Sequence, residues 1–112
     1  MNDTIPTWNL RPHKKGDTFN SRKITFPFDI SDCRIDMQFK KQANGLIVFS
    51  WSTENDTFEK ISATEVTMKS RVLDNATGVY ISDLQVVFPD TTVFTYLNAR
   101  IEINQDVTVI TT

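Results

Sequence analysis

The sequence predicts an all-β domain, an antiparallel immunoglobulin-like β-sandwich of about seven strands. Helical periodicity is nearly absent, while short stretches of alternating apolar and polar residues recur along the chain. Turn-forming residues separate these stretches about every eight to twelve residues, a spacing typical of β-sandwiches. The chain has 112 residues, of which 39% are apolar and eight are Phe, so it can bury a core of its own. We therefore treat residues 1–112 as one domain, with residues 1–15 as an N-terminal extension and residues 105–112 as a C-terminal tail.

The N-terminal third of the sequence predicts three strands. Residues 5–10 form a short edge strand, because Pro6 cannot donate to a central ladder. Residues 17–26 form the second strand, which Pro27 ends. Residues 33–41 alternate most clearly. One face of that strand carries Cys33, Ile35, Met37 and Phe39, and the other carries Arg34, Asp36, Gln38 and Lys40.

The middle of the sequence continues as a hairpin and a polar loop. Asn44-Gly45 supplies a positive φ cheaply, so residues 42–45 predict a turn into a mostly apolar strand at 46–51. Residues 52–57 are polar and predict a loop. Residues 58–61 suit a turn or a short helix. Residues 65–70 form another short strand, with Val66 and Met68 on one face.

The C-terminal third contains the two longest strands. After a turn at 74–78, residues 78–88 place Tyr80, Leu84, Val86 and Phe88 on one face. A tight turn at 89–92 follows, with Pro89 at a favoured turn position. The last strand covers residues 93–103. Its core face is expected to carry Val93, Leu97, Ala99, Ile101 and Ile103.

Composition argues against several classes of partner. The formal net charge is only -2, which disfavours broad electrostatic capture of nucleic acid. No apolar run approaches the roughly 20 residues that a membrane-spanning helix needs. The N-terminus lacks the basic-then-apolar pattern of a secretory signal. We therefore expect a chain made in a cytoplasm, with neither nucleic acid nor membrane as a partner.

The residues that carry most enzyme chemistry are sparse. His13 is the one histidine, and we expect it to be solvated in a loop rather than to act as a general base. Cys33 is the one cysteine and is expected to be a small, half-buried hydrophobe in a strand. Asp29, Asp32 and Asp36 form the densest carboxylate cluster, but turn roles for the first two and solvent exposure for Asp36 are favoured over a calcium site. We expect no catalytic residues, metal or cofactor.

Charge is distributed unevenly along the chain. The first 25 residues carry a net charge of +3, and residues 72–112 carry -4. Ordinary solvated charge explains this pattern. The alternative is a molecule with two oppositely charged ends, which dock head-to-tail or onto a charged lattice.

An ordered set of motifs resembles a known family. The motifs are KKGDTF (14–19), RIDMQFKK (34–41), GVYISDLQVVF (78–88) and TYLNARIEINQDVT (95–108). Their succession is similar to small immunoglobulin-like domains of tailed-bacteriophage virion proteins, notably the N-terminal domain of baseplate upper proteins. The resemblance covers about residues 8–108. This chain stops where those proteins continue into helical and receptor-linking regions.

The resemblance implies a virion structural protein. It implies an accessory docking module without catalytic residues, which decorates the capsid or attaches at the tail or baseplate. Its expected partners are other virion proteins, with a homo-oligomer as a further possibility, and its expected location is the virion. A carbohydrate- or host-surface-binding module is the alternative, and it needs exposed aromatics among Trp8, Trp51 and Tyr96. Terminal segments commonly add strands to a partner's sheet, so we expect the closing strand and the N-terminal segment (residues 5–15) to be the docking surfaces. The candidate docking residues are Trp8, Arg11, His13, Lys14, Lys15 and Asp106.

Overall fold

The computed structural model describes residues 7–42 and 44–105, and its regular secondary structure is almost entirely β-strand. Asp106 and the rest of the C-terminal tail lie outside the described residues. A three-residue 3-10 helix (Thr53–Asn55) is the helical element of the described part, and no helix there is long and apolar enough to span a membrane. The strands are β1 (Thr7–Asn9), β2 (His13–Lys14), β3 (Thr18–Phe19), β4 (Arg22–Thr25), β5 (Arg34–Phe39), β6 (Phe49–Ser52), β7 (Phe58–Lys60), β8 (Glu65–Met68), β9 (Arg71–Val72), β10 (Gly78–Val87) and β11 (Val93–Asn104).

The strands form the two layers of an immunoglobulin-like sandwich, as the sequence predicts. One sheet has the order β1-β11-β10-β5-β6, with β2 also paired to β11. The opposite layer contains β4-β8-β7 and the short pair β3-β9. Strands β1 and β2 run parallel to β11, and the other ladders are antiparallel. This order matches the A′GFCC′ and BED arrangement of immunoglobulin domains. Three pairs of consecutive short strands within one layer are separated by only two or three residues: β1 and β2, β3 and β4, and β8 and β9. When each pair is counted as one interrupted strand, the described chain has eight strands.

The core lies between the two layers and draws on both. The alternation predicted for residues 33–39 is confirmed, because Ile35, Met37 and Phe39 on β5 are fully buried. From the opposite layer, Val66 and Met68 on β8 are also fully buried. Trp51 joins the layers directly, since its indole Nε1 on β6 donates to the carbonyl of Lys69, just after β8, at 2.9 Å.

Tyr80 anchors the start of β10 to the preceding loop. Its ring is fully buried, and its hydroxyl donates to the carbonyl of Ala76 at 2.6 Å. This is the geometry of the tyrosine corner found near the start of strand F in immunoglobulin folds. Burial raises the pKa of the Tyr80 hydroxyl, so the group remains a donor. The sequence pattern placed Tyr80 on the buried face but did not reveal this hydrogen bond.

A β-bulge corrects the predicted core face of the last strand. The register between β10 and β11 shifts after Leu84, which pairs with Leu97, whereas Gln85 pairs with Thr95. Tyr96 is the extra residue, and it reverses the inward-facing positions before it. Val93 is therefore 54% exposed rather than buried, while the Tyr96 ring packs against Phe26 with centroids 4.9 Å apart.

One prediction for the middle of the chain is wrong, and one for the N-terminal third is correct only in part. Residues 58–61 were expected to form a turn or short helix, but Phe58–Lys60 is strand β7, which pairs with β8. The pairing buries Phe58, so tertiary contact overrides a weak local preference. The predicted strand at 17–26 is broken into β3 and β4.

The turn at residues 42–45 closes as predicted, but Gly45 does not adopt a positive φ. The Gly45 amide donates to the Gln42 carbonyl at 2.9 Å, which places Gly45 at the last position of the turn. Positive φ values in the described residues occur instead at Gly16, Asp56, Gly78 and Thr91. The turn after Pro89 is confirmed, because the Thr91 amide donates to the Phe88 carbonyl at 2.9 Å.

Candidate docking surface

The outer face of the six-stranded sheet exposes aliphatic side chains among charged ones. We call it the outer face; it is formed by the residues of β10, β5 and β11 that alternate with the buried ones. Val79 and Ile81 on β10 are 39% and 38% exposed. Ile81 pairs with Arg100 on one side and forms a bridge with Lys40 on the other. A neutral side chain between two cations suits contact with a protein that is apolar and partly acidic.

A shallow cleft of about 450 Å³ runs across this outer face. It is lined by Gln38, Lys40, Ile81, Ser82, Asp83, Gln85 and Asn98. The strand bridge between Lys40 and Ile81 fixes its floor, with backbone hydrogen bonds of 2.9 and 2.7 Å. The lining combines amides, opposite charges and one aliphatic residue. Such a mixed surface is typical of a protein contact.

The turn between β5 and β6 carries a second apolar feature. We call residues 44–48 the hairpin tip. Leu46 is 89% exposed, Ile47 51% and Val48 40%. The sequence predicted a mostly apolar strand that begins at Leu46, but β6 starts only at Phe49. The length of the apolar run could have indicated this exposure, because successive strand residues alternate and cannot all face one core.

The N-terminal segment, one of the two predicted docking surfaces, is an edge of the first sheet. Residues 7–14 contribute β1 and β2, so this part of the expected extension belongs to the sandwich. Trp8 is half-buried and packs against the core. Arg11 and Lys14 are exposed. Lys15 forms an ion pair with Asp74 at 3.4 Å.

His13 is held in the sheet rather than free in a loop. It lies in β2, opposite Ile103, and is half-buried. Its Nε2 donates to the carbonyl of Asp17 at 2.9 Å. The ring lies 6.1 Å from that of Phe19. The expectation of a solvated loop histidine is therefore wrong.

The alternative interpretation of the uneven charge, a molecule with two oppositely charged ends, does not fit how the described residues pair. Strand β2 pairs with Ile103 and Asn104 of β11, and the Lys15 amide donates to the Asn104 carbonyl at 2.8 Å. The basic N-terminal segment thus lies beside part of the acidic C-terminal segment. Opposite charges on these two neighbouring segments partly cancel, which reduces the electrostatic potential around them.

A second cleft opens at the side of the sandwich, between β5, β7 and the 3-10 helix. We call it the side cleft; it has a volume of about 520 Å³. Its lining consists of Asp32, Cys33, Arg34, Thr53, Glu54, Asp56, Phe58, Glu59 and Lys60. Carboxylates outnumber cations there. Arg34 lies 2.7 Å from Asp36 and 3.5 Å from Glu54, and Lys60 donates to the Ser31 carbonyl at 2.9 Å.

The three aspartates near this cleft have different surroundings. Asp29 accepts hydrogen bonds from the Ser31 hydroxyl and amide at 2.5 and 2.8 Å, which lower its pKa and confirm a turn role. The side chain of Asp36 is only 14% exposed, so its predicted solvent exposure is wrong. It accepts from the Ser52 hydroxyl at 2.5 Å and pairs with Arg34. Asp36 therefore holds β5 to β6 at this edge.

Cys33 is more deeply buried than predicted, at 5% exposure, and it immediately precedes β5. Its thiol is unpaired within the described residues. Burial is the largest cause of a raised pKa at this thiol. Its environment therefore favours the unreactive protonated form. Within residues 7–42 and 44–105, no three His, Cys, Asp or Glu side chains are placed to hold a metal ion.

The aromatic residues proposed for the alternative function do not form a platform. Trp51 is 1% exposed and lies within the core. The guanidinium of Arg71 covers its ring at 4.9 Å. Trp8 and Tyr96 are partly buried against the same core. None of the three lines the outer-face cleft.

Comparisons with known proteins leave the family of the chain open. No protein-family model matches the sequence, and none of the curated proteins matches it. The structure is similar to a solved one described as the crystal structure of CopC from Methylosinus trichosporium OB3b, with 13% sequence identity and a TM-score of 0.49. The match covers 88% of this chain and 89% of that chain. A likeness at this level does not bear on what this chain binds.

Proposed function

We propose that this chain is a non-enzymatic structural module of a tailed-bacteriophage virion, docked on the capsid or at the tail or baseplate. The observation that carries the proposal is the outer face, where Ile81 is exposed between Lys40 and Arg100 and Val79 is exposed beside Glu102. Exposed aliphatic residues within a mixed-charge sheet face are a feature of protein contact surfaces. On this proposal the partners are other virion proteins and the location is the particle.

The motif resemblance supports the proposal through its position in the fold. The motif at 34–41 contains β5, and the motif at 78–88 contains β10. The described part of the last motif lies on β11. These three strands are consecutive in one sheet and together form the outer face. The residues that carry the resemblance therefore also build the candidate docking surface.

Two side chains suited to enzyme chemistry are engaged in structural contacts. His13 donates to a backbone carbonyl, and burial raises the pKa of Cys33. These environments favour a binding role over nucleophilic or general-base catalysis. The carbohydrate-binding alternative receives no comparable support, because its aromatic residues pack into or against the core.

Particle assembly tests the proposal. In a phage from which the gene has been deleted, we supply the chain as wild type, Ile81→Asp or Val72→Asp. Val72 is 58% exposed on β9, away from the outer face, and is a matched aliphatic control. We expect wild type and Val72→Asp in purified particles at a fixed copy number. Ile81→Asp should be depleted at least about tenfold, because a new charge at an apolar contact is costly to desolvate.

Mass spectrometry of gradient-purified particles measures this incorporation, and cryo-microscopy locates the density that the deletion removes. Absence of the wild-type chain from purified particles overturns the virion role. Incorporation of Ile81→Asp at the wild-type level overturns the assignment of the outer face as the docking surface. Circular dichroism of each purified variant checks that the substitution leaves the fold intact.

A further inference from the structure

Four aromatic rings form a cluster at the end of the sandwich that carries the turn between β10 and β11. We call this cluster the aromatic end; it consists of Phe28, Phe88, Phe94 and Tyr96. The ring centroid of Phe28 lies 5.9 Å from that of Phe88 and 5.8 Å from that of Phe94. Its distance to the Tyr96 centroid is 6.2 Å. Phe94 is 45% exposed and the other three side chains are half-buried, so aromatic surface faces solvent at this end.

The strand pairing explains why this end is not fully covered. On the side of β11 away from β10, the pairing with β1 begins at Asn98, so residues 93–97 have no strand beside them within the described part of the chain. In the opposite layer, β4 ends at Thr25, whose carbonyl lies 3.4 Å from the Tyr96 hydroxyl. Phe94 is two residues nearer to the turn, and it therefore faces the loop that follows β4 rather than a strand.

The rings of the aromatic end are inclined to one another. Phe94 lies at 74° to Phe28, and Tyr96 lies at 88° to it. Inclined rings present their faces in different directions, as in the aromatic cages that bind cations. Pro27 and Pro89 fix the backbone φ in the two loops of the cluster. Loops that are already restricted in this way lose less conformational entropy when a partner binds.

The same two loops are acidic. Residues 26–33 and 88–92 contain three aspartates and no lysine or arginine. Asp29 follows Phe28 directly in the chain. Asp90 lies in the turn between Phe88 and Thr92, which is closed by a hydrogen bond of 2.9 Å from the Phe88 amide to the Thr92 carbonyl. Two carboxylates therefore adjoin the residues that carry the rings.

Both of these carboxylates are ionised near neutral pH. Hydrogen bonds from Ser31 hold the pKa of Asp29 below its ordinary value, and hydrogen bonds from Thr92 do the same for Asp90. Lys60 also attracts Asp29, but the Lys60 ammonium is bound to the Ser31 carbonyl at 2.9 Å. The aromatic end thus keeps negative charge for a cationic partner.

An exposed aromatic face beside an ionised carboxylate suits a guanidinium group. The planar guanidinium donates two hydrogen bonds to a carboxylate, and its own face stacks on an aromatic ring. We propose that the aromatic end binds a cationic segment of a partner protein, with an arginine side chain held by its rings and by the carboxylates of Asp29 and Asp90. The outer face takes no part in this contact, so the proposal is independent of the virion role.

Nuclear magnetic resonance titration of the isotope-labelled full chain tests the proposal, with a peptide of alternating Gly and Arg as the probe. We expect saturable binding with a dissociation constant below about 1 mM at about 0.05 M salt, weakened at about 0.5 M because salt screens the charges. The largest shifts of amide signals should fall in residues 28–31 and 90–96. A peptide of alternating Gly and Lys should bind at least about threefold more weakly, since an ammonium cannot form the bidentate pair.

Substitutions of Phe94 separate the aromatic contact from apolar packing. Phe94→Leu keeps an apolar side chain but removes the ring face, and it should raise the dissociation constant about fivefold. Phe94→Tyr keeps the ring face and should change the dissociation constant by less than about twofold. Val72→Ala, at an exposed aliphatic position on β9, is the control and should leave binding unchanged.

Asp90→Asn tests the carboxylate. Loss of this charge should raise the dissociation constant about threefold and reduce its dependence on salt. Asp17→Asn, which removes an exposed carboxylate from the loop between β2 and β3, should change it by less than about twofold. Ile81→Asp should also retain binding, which separates this contact from the outer face.

Three results overturn the proposal. The first is the absence of saturable binding of the Gly-Arg peptide below about 1 mM. The second is equal affinity for the two peptides, which charge attraction alone would produce. The third is an equal effect of Phe94→Leu and Val72→Ala. Should Phe94→Leu fail to fold by circular dichroism, the comparison of Asp90→Asn with Asp17→Asn decides alone.

Discussion

Tyr80 illustrates how a single polar atom fixes the path of the chain. Its ring fills the core, and its hydroxyl binds the Ala76 carbonyl across the turn that leads into β10. Phe49 packs against the same ring, with centroids 5.3 Å apart, and the ammonium of Lys41 lies 5.8 Å above it. The turn, the hairpin strand β6 and the core thus meet at one side chain.

Tyr80→Phe should lower the free energy of unfolding by about 1–2 kcal/mol, because it removes a buried hydrogen bond and leaves the Ala76 carbonyl without its donor. Urea unfolding measures the change. Tyr96→Phe is the matched control, since its hydroxyl lies 3.4 Å from the Thr25 carbonyl at a more exposed position. Equal effects of the two substitutions would contradict a special role for Tyr80.

At the scale of elements, the turn between β10 and β11 determines how the two longest strands meet. Pro89 is the first of the two central residues of the turn, where its fixed φ is favourable, and Thr91 adopts a φ of 73°. Asp90 accepts from the Thr92 amide at 2.9 Å. Hydrogen bonds from Thr92 lower the pKa of the Asp90 carboxyl, and the bond from the Thr92 hydroxyl contributes more than the bond from its amide. The turn therefore favours an ionised Asp90.

This turn should make stability depend on pH. Because the folded-state pKa of Asp90 lies below its ordinary value of 3.8, ionised Asp90 stabilises the fold above that value. The contribution is lost as pH falls through the folded-state pKa. Wild type should therefore be more stable than Asp90→Asn near pH 7, and the difference should shrink toward about pH 3.

Urea unfolding across that pH range, followed by circular dichroism, measures the convergence. Asp17→Asn removes a carboxylate that lies in a different loop and serves as the control. A difference between wild type and Asp90→Asn that stays constant with pH would contradict the assigned role of the Asp90 carboxylate.

At the scale of the whole molecule, the two layers share one core. Buried residues of both layers belong to a single cluster. Trp51 on β6 donates to the carbonyl of Lys69, and Arg71 on β9 covers the Trp51 ring while binding the Ser50 carbonyl. These contacts connect the layers by polar as well as apolar interactions. We therefore expect the sandwich to unfold as one cooperative unit.

Leu84→Ala should lower the free energy of unfolding by about 2–5 kcal/mol, because it leaves a cavity at a fully buried position on the central strand β10. Val93→Ala, at a position 54% exposed, should change it by less than about 0.5 kcal/mol. Trp fluorescence and circular dichroism should give coincident transitions for each variant. Separate transitions would show that the layers unfold independently.

The fold class and the best-defined strands follow from local sequence patterns. Alternation has a period of two in any half-buried strand, so residues 33–39 revealed their buried face without reference to neighbours. The turn at Pro89 could also be predicted from local sequence, because the proline ring fixes φ. The sequence revealed less about the candidate surfaces. It indicated a protein that docks, and proposed the N-terminal segment, which the structure incorporates as a sheet edge.

Tertiary structure alone decided which apolar residues remain exposed. Leu46 and Trp51 belong to one apolar run, yet Leu46 is 89% exposed, while Trp51 is 1% exposed and covered by Arg71. The bulge at Tyr96 reversed the face of Val93, because register depends on the neighbouring strand. Asp36 was buried by Ser52 and Arg34, one of them distant in sequence. Burial depends on what covers a residue, and local sequence does not contain that information.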